Sequence, residues 1–362
     1  MSDMTRGTGQ QLPVALASGG AGALATSVAG VGRPDASTAS SMGSSVRSRD
    51  VAVLTGGRSM ERDRSLLSGQ AVAEALEAVG HRVRLIDTAE PGLIEGVAGV
   101  DVAFLALAGR FGEDGKLQGF LETLAVPYTG SGVLASALGM HKPVAKTVVA
   151  ASGVSVLPHV LIGGKGTAES TDTAASAMRR LGAPVIVKPL GEGGSVGVAV
   201  AHDVAELEEL VVGLGQAGEA VLAEPFVTGT AVSVGVLETD GGDVRALPSL
   251  AVRAAREFYD YETKRNPALH AYACPAPLPR QVTALIADAS CRAHRALGCS
   301  GYSRSDFIIS ADGDAWWLEV NTLPGLSRTG NLATMAAAAG LSYEKLVSQI
   351  LGAAMHSARY RP

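Results

Sequence analysis

Arg304-Ser-Asp-Phe-Ile-Ile-Ser-Ala-Asp-Gly-Asp-Ala-Trp-Trp-Leu-Glu-Val-Asn321 reads as a β-hairpin with two chemically opposite faces. Two β-prone runs flank Asp312-Gly313, a dipeptide that favours tight hairpins because both turn positions need φ > 0. With those residues as the turn, Ala311 faces Asp314, and counting outward sets Asp306 opposite Glu319 and Arg304 opposite Asn321. Alternation along each strand then gathers Arg304, Asp306, Glu319 and Asn321 on one face. The other face reads Ser305, Phe307, Ile309, Trp316, Leu318 and Val320, which suits a core.

Two facing carboxylates repel unless something positive lies between them. Oxygen ligands on rigid strands suit Mg²⁺, which takes a few protein carboxylates and completes its shell with substrate phosphates. Asp306 and Glu319 are therefore a candidate metal pair, with the Asn321 amide on the same face; the competing reading is a solvated sheet face with a fortuitous ion pair. Asn321-Thr-Leu-Pro-Gly-Leu-Ser327 follows directly, and its Gly325 lets a backbone amide come close to a ligand.

The rest of the chain frames that hairpin. At 362 residues it has room for two or three domains with sizeable cores. A net charge of −5, with no basic run, argues against nucleic acid as a partner. Cys274, Cys291 and Cys299 show no CxxC spacing and fit a reducing, cytoplasmic setting. No apolar run reaches the ~18 residues of a membrane span, so no membrane partner is expected. Residues 1–48 are rich in Ala, Gly and Ser without periodicity and read as a disordered tail, with Met42 an alternative start.

Val51-Ala-Val-Leu54, a Gly56-Gly57 turn, a helix from about Ser65 to Val79 and strands at Arg82–Ile86 and Val102–Leu107 give a βαβ rhythm. That rhythm means a parallel sheet, whose ligands gather beyond the carboxyl ends of the strands, where Glu61 lies. A second unit opens with a helix at Lys142. In it, strand-like Ala183–Lys188 leads through Gly191-Glu-Gly-Gly-Ser-Val-Gly197 into the strand Val198–Ala201. Strand, Gly-rich loop, strand is a lid-like hairpin whose free amides can hold phosphate oxygens, with a lysine as point charge. Val221–Phe226 and Val232–Leu237 are read as continuing one antiparallel sheet, and helices follow at Gln281–Gly298 and Tyr343–Met355. The expected division is a tail at 1–48, a βαβ domain at 49–141, a central lid-bearing subdomain at 142–240 and a hairpin-bearing subdomain at 241–356.

These residues together resemble the D-alanine–D-alanine ligases of the ATP-grasp superfamily, from about Val51 to Leu351. The resemblance is carried by Gly56-Gly57…Glu61-Arg62, Gly112-Glu113-Asp114-Gly115, Tyr128-Thr-Gly-Ser-Gly132, Phe258-Tyr-Asp-Tyr-Glu-Thr-Lys264 and Leu318-Glu-Val-Asn-Thr-Leu-Pro-Gly325. It implies an α/β fold, with an α+β ATP-grasp part in which two antiparallel-sheet subdomains clasp ATP. It further implies ATP-driven peptide-bond formation through an acyl phosphate, in the cytoplasm, by a homodimer, for peptidoglycan synthesis. Lys142, Lys188 and Lys264 would hold phosphates under the Glu192, Gly193, Gly194 and Ser195 loop, and Glu224 would meet adenine. Asp306, Glu319 and Asn321 would bind two Mg²⁺ ions, with Mn²⁺ as a substitute. Arg304 and the backbone at Gly325 would stabilise the tetrahedral oxyanion, and Glu61 would hold the first amino acid's ammonium.

Departures from the family cluster around the amino acids. Ala108 stands for the usual His, Gly194 for the first of two loop serines (Ser195 remains), Arg265 for a Tyr, and Ala231 for a ribose-binding Glu. The carboxylate-binding Ser is replaced by Gly330 or Asn331, with Arg328 as a substitute clamp. Arg265 and Arg328 therefore leave open a ligase with a more acidic donor or acceptor, and a non-catalytic nucleotide-binding homologue is a third reading. Gly193-Gly-Ser195-Val-Gly197 matches GxSxG, but strand rather than helix follows, so a hydrolase is excluded.

Overall fold

The computed structural model describes residues 47–163, 173–190, 197–215, 220–239, 242–254 and 270–354. The tail with Met42, the loop residues Glu192, Gly193, Gly194 and Ser195, and Lys264 and Arg265 lie outside them. Ser48 Oγ donates to Gly80 O, and Arg49 N–H donates to the His81 ring.

Val51-Ala-Val-Leu54 is apolar on both faces, as a central parallel strand requires. It forms β1 (Asp50–Thr55), flanked by β2 (Arg82–Asp87) and β3 (Val102–Leu105) in a parallel sheet of order β2-β1-β3. Helix α1 (Arg62–Ala78) seals one face with Val72 and Leu76, both fully buried. Each such side chain contributes about 1.5–3 kcal/mol relative to exposure. Short α2 (Leu93–Val97), α3 (Lys116–Thr123), α4 (Val133–Met140) and α5 (Lys142–Ala151) follow.

An antiparallel sheet of order β4-β7-β5-β6 comes next. It comprises β4 (Val160–Ile162), β5 (Val185–Pro189), β6 (Ala199–Ala201) and β7 (Val221–Pro225), with α6 (Ala174–Leu181) and α7 (Val204–Gly215) between them in sequence. The strands β5 and β6 do pair as a hairpin around the Gly-rich segment.

The largest sheet runs β11-β10-β8-β12-β13, with β9 on β8. Its strands are β8 (Gly229–Glu238), β9 (Val244–Ala246), β10 (Leu250–Ala254), β11 (His270–Ala273), β12 (Tyr302–Ser310) and β13 (Ala315–Asn321). Helix α8 (Arg280–Ala296) buries Ile286, Ala289 and Ala293 in one core with Phe307, Ile309 and Trp317. The strands β7 and β8, expected in one sheet, belong to different ones: beyond Phe226-Val-Thr228 the chain leaves β5 and pairs along β12. Helices α9 (Asn331–Ala338) and α10 (Tyr343–Gly352) return to the first sheet. There Leu346, Val347 and Ile350 share a core with Val51–Leu54, Tyr302, Leu323 and Leu326.

The decisive hairpin pairs Asp306 with Glu319 and Arg304 with Asn321, as the sequence suggests, but by a different route. At the tip Ser310 N–H bonds Asp314 O, enclosing Ala311-Asp312-Gly313, and in that loop Gly313 takes φ +90°. The favoured two-residue turns both need φ > 0 at their first position, which Asp312 does not supply, so a three-residue loop forms and the register moves by one. Phe307 thus faces Trp317, and a bulge at Leu318 restores the later pairing. In consequence Trp317 (0% exposed), not Trp316 or Leu318, enters the core, where its indole N–H bonds Ser305 Oγ at 3.1 Å.

Trp317→Ala should therefore cost about 3–5 kcal/mol in urea unfolding, whereas Trp316→Ala should cost about 1 kcal/mol or less. A larger loss at Trp316 than at Trp317 would overturn the bulged register, because an unbulged strand turns Trp316 into the core and Trp317 out of it.

Candidate active site

A cavity of about 820 Å³ opens between the two antiparallel sheets and the first turn of α1. Arg304, Asp306, Glu319 and Asn321 form part of its wall, together with Lys142, Lys188, Glu61, Gly325 and Asn331. Residues from Glu61 to Asn331 thus reach one space through three separate sheets.

Asp306 is the hub. Arg304 Nε and Nη2 donate to its two oxygens at 2.8 and 2.7 Å, and Asn321 Nδ2 donates at 3.0 Å. Ser233 Oγ donates at 2.6 Å from the facing position on β8. Burial alone would lower the pKa of the Arg304 guanidinium, but Asp306 outweighs it and holds the group charged. Glu319, across the strand, lies 3.5 Å from Lys142 Nζ. Two carboxylates and an amide on adjacent strands form a hard oxygen donor set at the cavity wall, which fits Mg²⁺. The fit needs the Asn321 amide turned so that its oxygen replaces Nδ2. Ser233 went unnoticed in sequence, since a single serine on a strand signals nothing until its register partner is known.

Two lysines are organised below the surface around Glu224. Glu224 is fully buried, with Lys146 Nζ and Lys188 Nζ each 2.6 Å from one of its oxygens. Burial would push Glu224 up, yet the two lysines together hold it at about 2. The triad carries a net charge of +1, and only Lys188 of the three reaches the cavity wall. Glu224, expected at the adenine, lies behind the wall because the lysines occupy it. Apolar side chains of the cavity wall include Leu157, Ile186, Val198, Phe226 and Leu318.

Glu61 reaches the cavity through a loop built around Asp87. Arg62 Nη1 donates to Asp87 at 3.0 Å, and Gly57 N–H donates to the same carboxylate at 3.1 Å. The Arg62 hydrogen bond holds Asp87 at about 2. Gly56, at φ +68°, lies against that carboxylate, where a Cβ would approach it to 2.2 Å.

Arg328 departs from expectation. It pairs with Glu344 at 3.0 Å and stacks over the Tyr343 ring, 4.6 Å from its centroid, outside the cavity wall. Tyr343 O–H is itself bonded to Leu326 O, so the ring that holds Arg328 is tied down. Asn331, at the first position of α9, faces the cavity together with Ser327 and Thr329. Glu113, given no role in the sequence, also lines it and is 8% exposed.

Family models of the D-ala D-ala ligase C-terminus and N-terminus match residues 148–352 and 91–131. A D-alanine–D-alanine ligase of Anaeromyxobacter sp. (strain Fw109-5) is 44% identical over 85% of this chain and 97% of its own length. One from Geotalea uraniireducens is 41% identical over 85% and 96%. The crystal structure of the Bacillus anthracis D-alanine–D-alanine ligase complexed with ATP superposes with TM-score 0.73 at 30% identity, covering 87% of this chain and 98% of that one. The VanG D-Ala:D-Ser ligase of Enterococcus faecalis superposes with TM-score 0.71 at 26% identity, covering 84% and 99%.

Lys146→Met should lower stability by about 3–5 kcal/mol near neutrality, because it strips a partner from a buried carboxylate. Since Glu224 titrates at about 2 in the fold against 4.5 ordinarily, its contribution is complete above pH 4.5 and fades as pH falls toward 2. The wild-type advantage in urea unfolding should therefore shrink from pH 7 to pH 3; an undiminished gap would show that the charge pair is not its source.

Proposed function

The chain belongs to the D-alanine–D-alanine ligase family of ATP-grasp enzymes, and from that premise we propose how its own residues perform the reaction. It is an ADP-forming ligase that joins two amino acids, D-alanine with D-alanine, for peptidoglycan precursors. The carboxylate of the first takes the γ-phosphoryl group of ATP. The amine of the second then displaces phosphate from the acyl phosphate and closes the peptide bond. The observation that carries this reading is a single cavity whose wall includes Asp306, Glu319 and Asn321, the cations Lys142, Lys188 and Arg304, and Glu61.

Phosphoryl transfer is mostly positioning and charge neutralisation, so cations rather than bases dominate. Lys142 and Lys188 hold the triphosphate, Lys188 with the surplus charge of its triad. Asp306, Glu319 and Asn321 would hold Mg²⁺, which when bound screens the phosphate charge. Glu61 fixes the first ammonium, aimed by the Arg62–Asp87 clamp. Arg304, already aligned by Asp306, faces the developing oxyanion beside the Gly325 backbone; one such donor is worth about 2.7–4 kcal/mol. Lys264 and the loop from Glu192 to Ser195 complete the phosphate side of this assignment, as the resemblance implies. Asn331 receives the second substrate's carboxylate at the start of α9.

The alternative of an acidic substrate rested on Arg265 and Arg328. The pairing of Arg328 with Glu344 takes away half of that argument and favours D-alanine. A cytoplasmic homodimer is the assembly the family suggests, and sedimentation of a monomer at working concentration would exclude it.

ADP release with ATP, Mg²⁺ and a panel of amino acids tests the assignment. D-alanine should be the best substrate, and a chain that binds ATP without amino-acid-dependent turnover would be a non-catalytic homologue. Arg304→Ala should lower kcat on the order of 10²-fold or more, while Arg328→Ala should leave it nearly unchanged.

A second expectation concerns the sugar. Ala231 faces the cavity one side-chain step along β8 from Ser233, opposite Ile308, so this wall offers a ribose no carboxylate. A site that makes no hydrogen bond to a hydroxyl discriminates weakly against its loss. In kcat/KM, 2′-deoxy-ATP should fall within about tenfold of ATP, roughly 1.4 kcal/mol, and Ala231→Glu should widen the gap.

A further inference from the structure

Glu113 is the carboxylate in this cavity that the assignments above leave without work. It is buried, it lines the cavity, and among the described residues no cation pairs with it. Two backbone donors fix its orientation instead: Gly109 N–H to Oε2 at 2.6 Å and Leu323 N–H to Oε1 at 3.2 Å. Leu323 belongs to the segment that continues into Pro324 and Gly325, so the carboxylate is anchored to the backbone beside which the oxyanion forms. The charged and titratable groups that face it are Glu61 from the β1–α1 loop and Arg304 and Tyr302 from β12.

We propose that Glu113 accepts the proton that the second amino acid's ammonium must lose before it attacks. This rests on the ligase reading. Glu61 is committed to the first ammonium, while Asp306 and Glu319 face Arg304, Lys142 and the phosphates. Among the described residues Glu113 is the cavity carboxylate held by backbone N–H donors rather than by a paired cation, with Arg304 acting on it only through its field. Burial drives its pKa up, the like charge of Glu61 adds to that, and the two N–H donors draw it partly back, leaving it at about 7. A base with that value can take a proton and return it to solvent near neutrality.

The step balances. One ammonium proton passes to the Glu113 carboxylate, and the freed nitrogen lone pair forms the C–N bond. The carbonyl π electrons move to the oxygen facing Arg304. Collapse breaks the C–O bond to phosphate, which departs with the second proton of the nitrogen, leaving a neutral amide.

Hydroxylamine separates this role from a structural one, because it is unprotonated near neutrality and captures the acyl phosphate without a base. The experiment compares dipeptide with hydroxamate formation from ATP and D-alanine, in wild type and Glu113→Gln. Dipeptide turnover should fall on the order of 10²-fold relative to hydroxamate turnover in the variant. The same ratio should fall more steeply below pH 7 in the wild type than in Glu113→Gln, because loss of the free amine of D-alanine affects both alike. A parallel loss of both products in a folded variant, or pH dependences of the ratio that coincide in the two proteins, overturns the proposal. Wild type inert toward both nucleophiles would overturn the ligase reading itself.

Discussion

A single extra residue in β13, the bulge at Leu318, is the constraint on which this site depends. Trp317, Glu319 and Asn321 have the same parity, so an unbroken strand would point all three to one side of the sheet. Either the indole would face the cavity or the carboxylate and amide would sink into the core. The bulge resolves the conflict: Trp317 packs with Phe307 and Ile309 below, and Glu319 and Asn321 stand beside Asp306 and Arg304 above. Packing and chemistry are satisfied on one strand because their registers differ by one.

Charges in and behind the cavity are arranged so that each buried ion has a partner while the surplus faces the opening. Arg304, Asn321 and Ser233 converge on Asp306; Lys146 neutralises Glu224 from behind and leaves Lys188 as a net cation at the wall. Buried ion pairs of this kind are weak sources of stability, since desolvation offsets much of the attraction. Their value lies in holding lysine and arginine heads at set positions for a substrate that is itself highly charged. Glu113 is the exception, a buried carboxylate held by backbone N–H donors alone.

The two halves of the site are far apart in sequence and are brought together by a shared core rather than by contacts across the cavity. Tyr302 O–H donates to Leu105 O, and Leu326 N–H donates to Ser68 Oγ on α1. Helix α10 adds Leu346, Val347 and Ile350 to the core of the first sheet. The loop carrying Glu61 and the segment carrying Gly325 are therefore walls of one packed body, which keeps their separation constant.

Local chemistry was legible in the chain itself. The apolar run Val51–Leu54 announces a central parallel strand, and the stripe through Val72 and Leu76 announces the helix covering it. Both follow from periodicities that depend on neighbours only a few residues away. The pairing of Asp306 with Glu319 could also be counted from the turn, although the count succeeded because a three-residue loop and a bulge shift the register in opposite directions. Non-local properties could not be read in this way. The departure of β8 from the sheet of β7, the stacking of Arg328 on Tyr343, the lysine pair around Glu224 and the isolation of Glu113 each depend on what another element presents. Residue types and spacing determine which groups are available and how a segment folds; burial and neighbouring charge, set only when distant segments pack, decide which of those groups are free to react.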